Sequence, residues 1–268
     1  MNIKAKELLK KEKYGFSDLC TVMEILRGED GCPWDREQDH KSIRGNFIEE
    51  TYEVVEAIDT ENTELLREEL GDVMLQVVFH ARMAEEAGRF TFDDVVDGVA
   101  QKLVFRHPHV FGTVDARDSD GALVAWEAQK QIEKDQKTAA DTLDGVARSL
   151  PALMRAEKIQ SKARKAGFDW DAIGPVLDKI SEEAEELRQA VQAQSNFEEE
   201  LGDLLFVTVK AGGFLGVDSE LALHAACEKF IRRFRRVEEL AGRPLKELDV
   251  PALEDLWQQA KLRENTDT

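Results

Sequence analysis

The sequence predicts an all-α protein, on three observations. Apolar residues recur at three-to-four spacing almost throughout, alternating apolar–polar runs are hard to find, and breakers are sparse at 17 Gly and 6 Pro in 268 residues. A hydrophobic content of 42% is enough for a real core. The length leaves room for about two domains.

The elements follow in order. Leu65, Leu66, Leu70, Val73, Val77 and Ala81 line one helix face, and Gly88 marks its stop. Breaks fall near Gly28–Pro33, His107–Gly121, Thr138–Gly145 and Gly242–Pro251. His107 and His109 flank Pro108 and read as a helix-terminating turn rather than a metal site. Ala122–Lys137 reads as a charged helix, Thr138–Leu150 as a linker, and Pro151–Ala166 as the opening helix of a second unit. Val176, Leu177, Ile180, Ala184, Leu187 and Val191 form the next apolar stripe, with Pro175 near its start, where a missing N–H costs nothing. Roughly ten helices are expected on this periodicity. They fall into a first unit at 1–137, a linker at 138–150 and a second unit at 151–268.

Charge narrows the function. Lys and Arg total 36 against 55 Asp and Glu, a formal charge of −19. Such a chain is repelled by phosphate backbones and anionic membranes, so nucleic acid is not an expected partner. Any phosphate ligand would need a basic patch or bound cations. The first residues carry charge without the apolar core of a signal peptide. The longest apolar stretches, such as Val73–Phe79 with Gln76 inside it, fall far short of a membrane span. Cys20, Cys32 and Cys227 lie far apart and read as reduced thiols. A soluble cytoplasmic protein is expected.

An internal repeat organises the chain. Glu49-Glu50-Thr51-Tyr52-Glu53 is followed by Glu69-Leu70-Gly71-Asp72 and the apolar run VMLQVVF. Glu182-Glu183-Ala184-Glu185-Glu186 is followed by Glu200-Leu201-Gly202-Asp203 and LLFVTV. Trp34-Asp35 and Trp170-Asp171 precede the two copies, while Lys102 with Arg106 and Lys229 with Arg233 follow them. The order W-D, EExxE, ExxD, KxxxR thus occurs twice.

Helical geometry gives these carboxylates a purpose. At about 100° per residue, Glu183 and Glu186 border the apolar stripe of Ile180, Ala184 and Leu187, while Glu182 points away. Glu200 and Asp203 share the same i, i+3 relation at the head of an apolar run. An antiparallel helix pair folded over the short Gln192–Phe197 connection would bring the four together. Two like charges about 4 Å apart repel by on the order of 4 kcal/mol at an effective dielectric of 20. The cluster must therefore protonate or recruit a cation. All-oxygen donors without Cys or His select a hard ion, Mg²⁺ or Mn²⁺ before Zn²⁺, and Glu-x-x-Asp in place of Glu-x-x-His counts against di-iron chemistry. A metal held this way in an acidic protein suggests a phosphate substrate. Lys229, Arg232, Arg233 and Arg236 occupy one helix face and form a candidate phosphate clamp, with Lys102 and Arg106 a thinner version. Phosphate-binding glycine loops, the G-x-S-x-G elbow and H-E-x-x-H are all missing. Hydrolysis would have to use a metal-activated water.

Together with GCPWDREQ at 31–38, RHPHVFG at 106–112 and SLPALMRAEKIQSKARKAGFDW at 149–170, these motifs resemble the MazG family. These are tandem-domain bacterial nucleoside triphosphate pyrophosphohydrolases of the all-α NTP pyrophosphatase superfamily. The resemblance implies two MazG-like helical-bundle units and Mg²⁺-dependent cleavage of an NTP between the α and β phosphates. It matches Glu183, Glu186, Glu200 and Asp203 to metal ligands. Lys179, Lys229 and Arg233 match nucleotide contacts, and Trp257 a position near the base. Glu50, Glu53, Glu69 and Asp72 match the same ligand set in the first unit, and homodimers are implied.

Charge then suggests the division of labour. Mg²⁺ would lower the pKa of a bound water, Glu182 or a ligand Glu could take its proton, and Lys229 and Arg233 would stabilise the leaving pyrophosphate. The second unit has the denser basic helix and Lys179 four residues before its ligand Glu, where the first has Asn46; it is the expected catalytic unit. Two other readings compete: a non-catalytic metal-dependent nucleotide sensor, and a purely structural helical protein without metal dependence.

Overall fold

The structure is a computed structural model that describes residues 3–112, 118–134 and 136–264. The expected break at 107–121 and the expected helix at 122–137 lie partly outside these, at 113–117 and 135. Among the described residues there are fourteen α-helices, one short 3₁₀ turn and no strand, so the fold is all-α. Ten of the helices have twelve residues or more. The four beyond the expected number are α1 (Ile3–Leu8), α3 (Pro33–Glu37), α7 (Pro108–Phe111) and α9 (Ala139–Asp144), all too short to show a period. The chain divides into two compact units, Met1–Lys130 and Gln131–Thr268.

The first unit is built on α2 (Phe16–Arg27), α4 (Arg44–Asp59), α5 (Thr63–Glu86) and α6 (Phe92–Arg106). Its core joins Met23 of α2, Ile43 before α4, and Val78, Phe79 and Met83 of α5. Local chemistry starts and stops these helices. Asn62 caps α5 by accepting from the Leu65 N–H, and Thr91 with Asp94 forms a capping box on α6. Gly88 ends the α5 segment in the left-handed region at φ 64°. His107 terminates α6, its Nδ1 2.6 Å from the Leu103 carbonyl oxygen, and Pro108 opens α7. Helix α8 (Ser119–Glu133) follows, and Arg106 stacks on its Trp126.

The second unit holds α9, α10 (Ala152–Lys165), α11 (Ile173–Ala193), α12 (Phe197–Leu215), α13 (Ser219–Ala241) and α14 (Val250–Glu264). The stretch 138–150, expected as a linker, belongs to this packing. Thr138 and Asp141 form a capping box on α9, α9 packs on α10, and Val146 is buried. Helices α11 and α12 make the principal contact of the unit, with Val176 against Val207 and Ala211. The first unit's equivalent is the α4–α5 pair.

Each hairpin turns through three residues. Gln194 and Asn196 adopt left-handed φ values of 52° and 57° in the second, and Glu61 takes 51° in the first. Short connections force the paired helices antiparallel, so the end of one lies beside the beginning of the next. That topology carries EExxE on the first helix of each pair toward ExxD on the second.

Candidate active site

The hairpins bring the acidic residues together as triads. In the second unit Glu183, Glu186 and Glu200 each offer a carboxylate oxygen, all within 4.8 Å of one another. In the first unit Glu50, Glu69 and Asp72 do the same. The fourth expected member stands at the edge in both cases. Asp203 lines the cavity shared with Glu183, while Glu53 lies near enough to Glu50 and Glu69 to raise both their pKa values.

Burial and mutual repulsion make Glu186, Glu50 and Glu69 reluctant acids. The Glu186 carboxyl is held above the usual carboxylate range by burial and by Glu183 and Glu200 nearby. Glu50 is raised by burial, then by Asp72 and Glu53; Glu69 is raised by burial, then by Glu53 and Asp72. Glu183 is itself buried. Part of the compensation is structural, because Glu198, Glu199 and Glu200 sit in the first turn of α12, at the positive end of its dipole.

Lys179 supplies the rest in the second unit. Its Nζ lies 2.8 Å from Glu183 Oε1 and 2.9 Å from Glu182 Oε1, and these carboxylates raise the pKa of the ammonium. The first unit has Asn46 at the matching position. Glu182 is exposed, as its position off the apolar stripe requires.

A cavity of about 650 Å³ opens beside the triad. Lys179, Glu183 and Asp203 are among its polar lining residues. The wall also includes Gly167, Phe168 and Trp170 before α11, Ile159, Gln160 and Ala163 of α10, Phe206 and Val207 of α12, and Leu143 of α9. At its base Lys210 of α12, 7% exposed, ion-pairs with Asp169. Asp169 Oδ1 also accepts the Trp170 N–H at 2.8 Å, and Lys210 holds the Asp169 carboxyl below its ordinary pKa. Sequence reasoning singled out neither Lys210 nor Asp169. Lys210 lies seven residues beyond Asp203, two turns along the same helix face, and that spacing was the available signal.

Residues of the basic helix are placed elsewhere. Lys229 and Arg232 are exposed on α13 and Arg233 is half-buried; among the described residues α13 contributes nothing to the cavity wall. Helix α13 packs beside α12 and α10. Trp257 of α14 is half-buried against Phe230 of α13, ring centroids 5.1 Å apart, and is likewise outside the cavity wall. Lys102 is exposed on α6.

All-oxygen donors close to one another, in duplicate on antiparallel helix pairs, define a class: helical proteins with a carboxylate cluster repeated on two helix hairpins. The comparisons with known proteins then fix the family. A family model described as the MazG nucleotide pyrophosphohydrolase domain matches residues 38–111 and 175–237, one segment over each hairpin. The nucleoside triphosphate pyrophosphohydrolase of Escherichia coli (strain K12) is 48% identical over 254 residues, covering 92% of this chain and 97% of that one. A Thermotoga maritima protein named nucleoside triphosphate pyrophosphohydrolase/pyrophosphatase MazG is 45% identical over 250 residues, 92% and 95% of the two chains. The uncharacterized protein YabN of Bacillus subtilis (strain 168) is 42% identical over 265 residues, with 97% of this chain matching 53% of that longer one. The chain belongs to the MazG family.

Proposed function

We propose that this protein is a divalent-metal-dependent nucleoside triphosphate pyrophosphohydrolase, which cleaves NTPs or dNTPs to the nucleoside monophosphate and pyrophosphate at the second unit. The observation that carries the reading is the Glu183–Glu186–Glu200 triad, within 4.8 Å, opening on a cavity lined in part by Lys179 and Asp203. Relatives that match this chain over almost their whole length bear the name of that activity.

The donor set fits Mg²⁺, with Mn²⁺ as a substitute. Glu183, Glu186 and Glu200 would hold the ion, with Asp203 at the cavity edge as a further ligand; the first unit offers Glu50, Glu69 and Asp72 with Glu53 beside them. Such an ion would supply charge neutralisation and a more acidic water for attack on the α phosphorus.

The protein's own groups do the remainder. Lys179, paired with Glu183 at 2.8 Å and lining the cavity, would contact the phosphates. Glu182, exposed beside it, takes the proton of the attacking water. Lys229, Arg232 and Arg233 meet the leaving pyrophosphate from the α13 side. Glu182, Glu183, Glu186, Lys229 and Arg233 thus form the catalytic set. Lys179, with Arg232 and Arg236 of the denser basic helix, is present in the second unit and absent from the first, which supports assigning catalysis to the second.

We also read the protein as a cytoplasmic homodimer. Among the described residues no helix is long and apolar enough to cross a membrane. Leu201, Leu205 and Phe206 on α12 are each more than 40% exposed, as are Leu70 and Met74 on α5. Exposed apolar rows on the helices that carry the carboxylates support a second copy packing there.

The test is a product assay over four NTPs and four dNTPs with Mg²⁺. Pyrophosphate and monophosphate, lost in EDTA, support the reading. Orthophosphate would indicate another phosphohydrolase class, and nucleotide bound but recovered unchanged would indicate a sensor.

A further inference from the structure

We propose that His40 and His80 form a proton-operated clasp at the end of the α4–α5 hairpin away from its turn, which releases in mild acid and loosens the first unit while the second stays closed. Neither histidine belongs to the carboxylate triads or to the cavity beside Glu183.

His40 lies in the connector 38–43 that leads into α4, and His80 on α5, two turns beyond Asp72. Their Nδ1 atoms are 2.8 Å apart. The ring planes differ by 4° and the centroids lie 5.1 Å apart, the Nδ1 separation plus one ring radius on each side. The rings therefore meet end to end in one plane, joined by a hydrogen bond in which one Nδ1 donates and the other accepts. The accepting ring carries no proton at Nδ1, so the pair holds at most one positive charge while the bond lasts. A second proton would set N–H against N–H between two cations.

The surroundings do not absorb that second charge. Both rings are half-buried, and Phe47 of α4 faces His80 with ring centroids 5.8 Å apart. Burial, and then His40, push the His80 pKa below its ordinary 6.5. Ile43 anchors the connector in the core beside Val78 and Phe79. Asp39 and Lys41 flank His40 on the connector, and Arg44 is exposed at the start of α4. Arg27 of α2 donates to the Gln38 carbonyl and pairs with Glu86 of α5. The Asp39 carboxylate accepts the Lys41 and Ser42 N–H groups, each at 2.8 Å, and can offset one imidazolium but not two.

The repeat reveals what the clasp replaces. Aligning Glu50 with Glu183 and Asp72 with Asp203 puts Ile173 in the place of His40 and Ala211 in the place of His80. There Ala211 belongs to the buried cluster of Val176 and Val207, and Ile173 packs against it. The second unit thus closes the same end with an apolar contact that cannot titrate. In the first unit the imidazoles exchange that contact for a response near pH 6.5. The linkage has a definite sign. Released, both rings take protons near their ordinary value; clasped, the pair takes one fewer. Closure is therefore favoured above the ordinary 6.5, and as the pH falls below it the equilibrium moves toward release by about tenfold per pH unit.

Amide hydrogen exchange of the metal-free full chain, corrected for the intrinsic exchange rate at each pH, tests the clasp. Protection of peptides covering 38–47 and 76–84 is expected to fall about tenfold between pH 6 and pH 5, while peptides covering 171–180 and 207–215 stay within about twofold. His40→Ile with His80→Ala copies the second unit's contact, and it should hold the first-unit peptides within about twofold over the same range. His40→Phe with His80→Phe serves the same purpose if that pair packs poorly. Selective ¹⁵N labelling of the histidines in the parent gives a second readout. At pH 8 one of the two rings should carry its proton on Nδ1 and the other on Nε2, and the pair should titrate in two separated steps. The proposal is overturned if the two units lose protection alike, or if the folded double variants keep the parent's pH dependence. Two rings that titrate together as independent groups near 6.5 would overturn it as well.

Discussion

Replacing Lys210 by Met isolates the contact that ties the cavity strap to α12. Methionine fills nearly the same volume, so packing changes little and the effect is electrostatic. The Lys210 side chain is 9% exposed and that of Asp169 19%, so the pair stands between two regimes. Breaking a fully buried pair costs about 3–5 kcal/mol, and an exposed pair is worth about 0–1 kcal/mol. A loss of about 2 kcal/mol in the second unit follows by interpolation. Most of it is the stranded Asp169 carboxylate, so Lys210→Met combined with Asp169→Leu should recover at least half. The pH dependence has a definite sign. Lys210 holds the Asp169 carboxyl below its ordinary value of 3.8, so the stabilisation is complete above that pH and is lost as the pH falls through the lowered pKa. Urea unfolding of parent, single and double variants, followed by circular dichroism at pH 7 and pH 3, measures all of this. A single variant within 0.5 kcal/mol of the parent at pH 7, or a double variant no better than the single, would refute the argument; the threshold is about the error of additivity.

Other outcomes follow from the triads and the core. Glu186→Gln is expected to reduce pyrophosphate release about a hundredfold or more, as loss of a group stabilising transition-state charge does, while Glu53→Gln stays within threefold; the reverse pattern in the same assay would move catalysis to the first unit. In EDTA the raised carboxyls Glu50, Glu69 and Glu186 favour the folded state most below their ordinary 4.5, and that contribution fades as the pH rises through their raised values. Thermal melts between pH 4.5 and 7.5 should therefore show a decline attributable to these groups that Mg²⁺ cancels and that Glu186→Gln flattens. Met23→Ala, at a site 2% exposed in the first unit's core, should lower that unit's urea transition by about 2–5 kcal/mol and leave nucleotide binding by the second unit unchanged.

The carboxylates were legible because their spacing on a helix and the helix–turn–helix order are both local. Glu183 and Glu186 border an apolar stripe, Glu200 heads another, and three intervening residues allow only one way back. The short helices α3, α7 and α9 were not legible, since a helix of four to six residues completes barely more than one turn and shows no period. Stretch 138–150 reads as linker by composition, yet the Thr138–Asp141 box and buried Val146 fold it onto α10.

What the chain determined by itself is the helical fold, the duplication and the acidic chemistry, all of which depend on residues within a few turns of one another. Tertiary packing decided the rest. It selected which three carboxylates of each quartet come within reach of one ion, left Lys229 and Trp257 on helices outside the cavity wall, and set Asp169 against Lys210 forty-one residues away. Contacts across such a separation depend on how α10, α11 and α12 pack, and a one-dimensional pattern carries no record of the angle between helices.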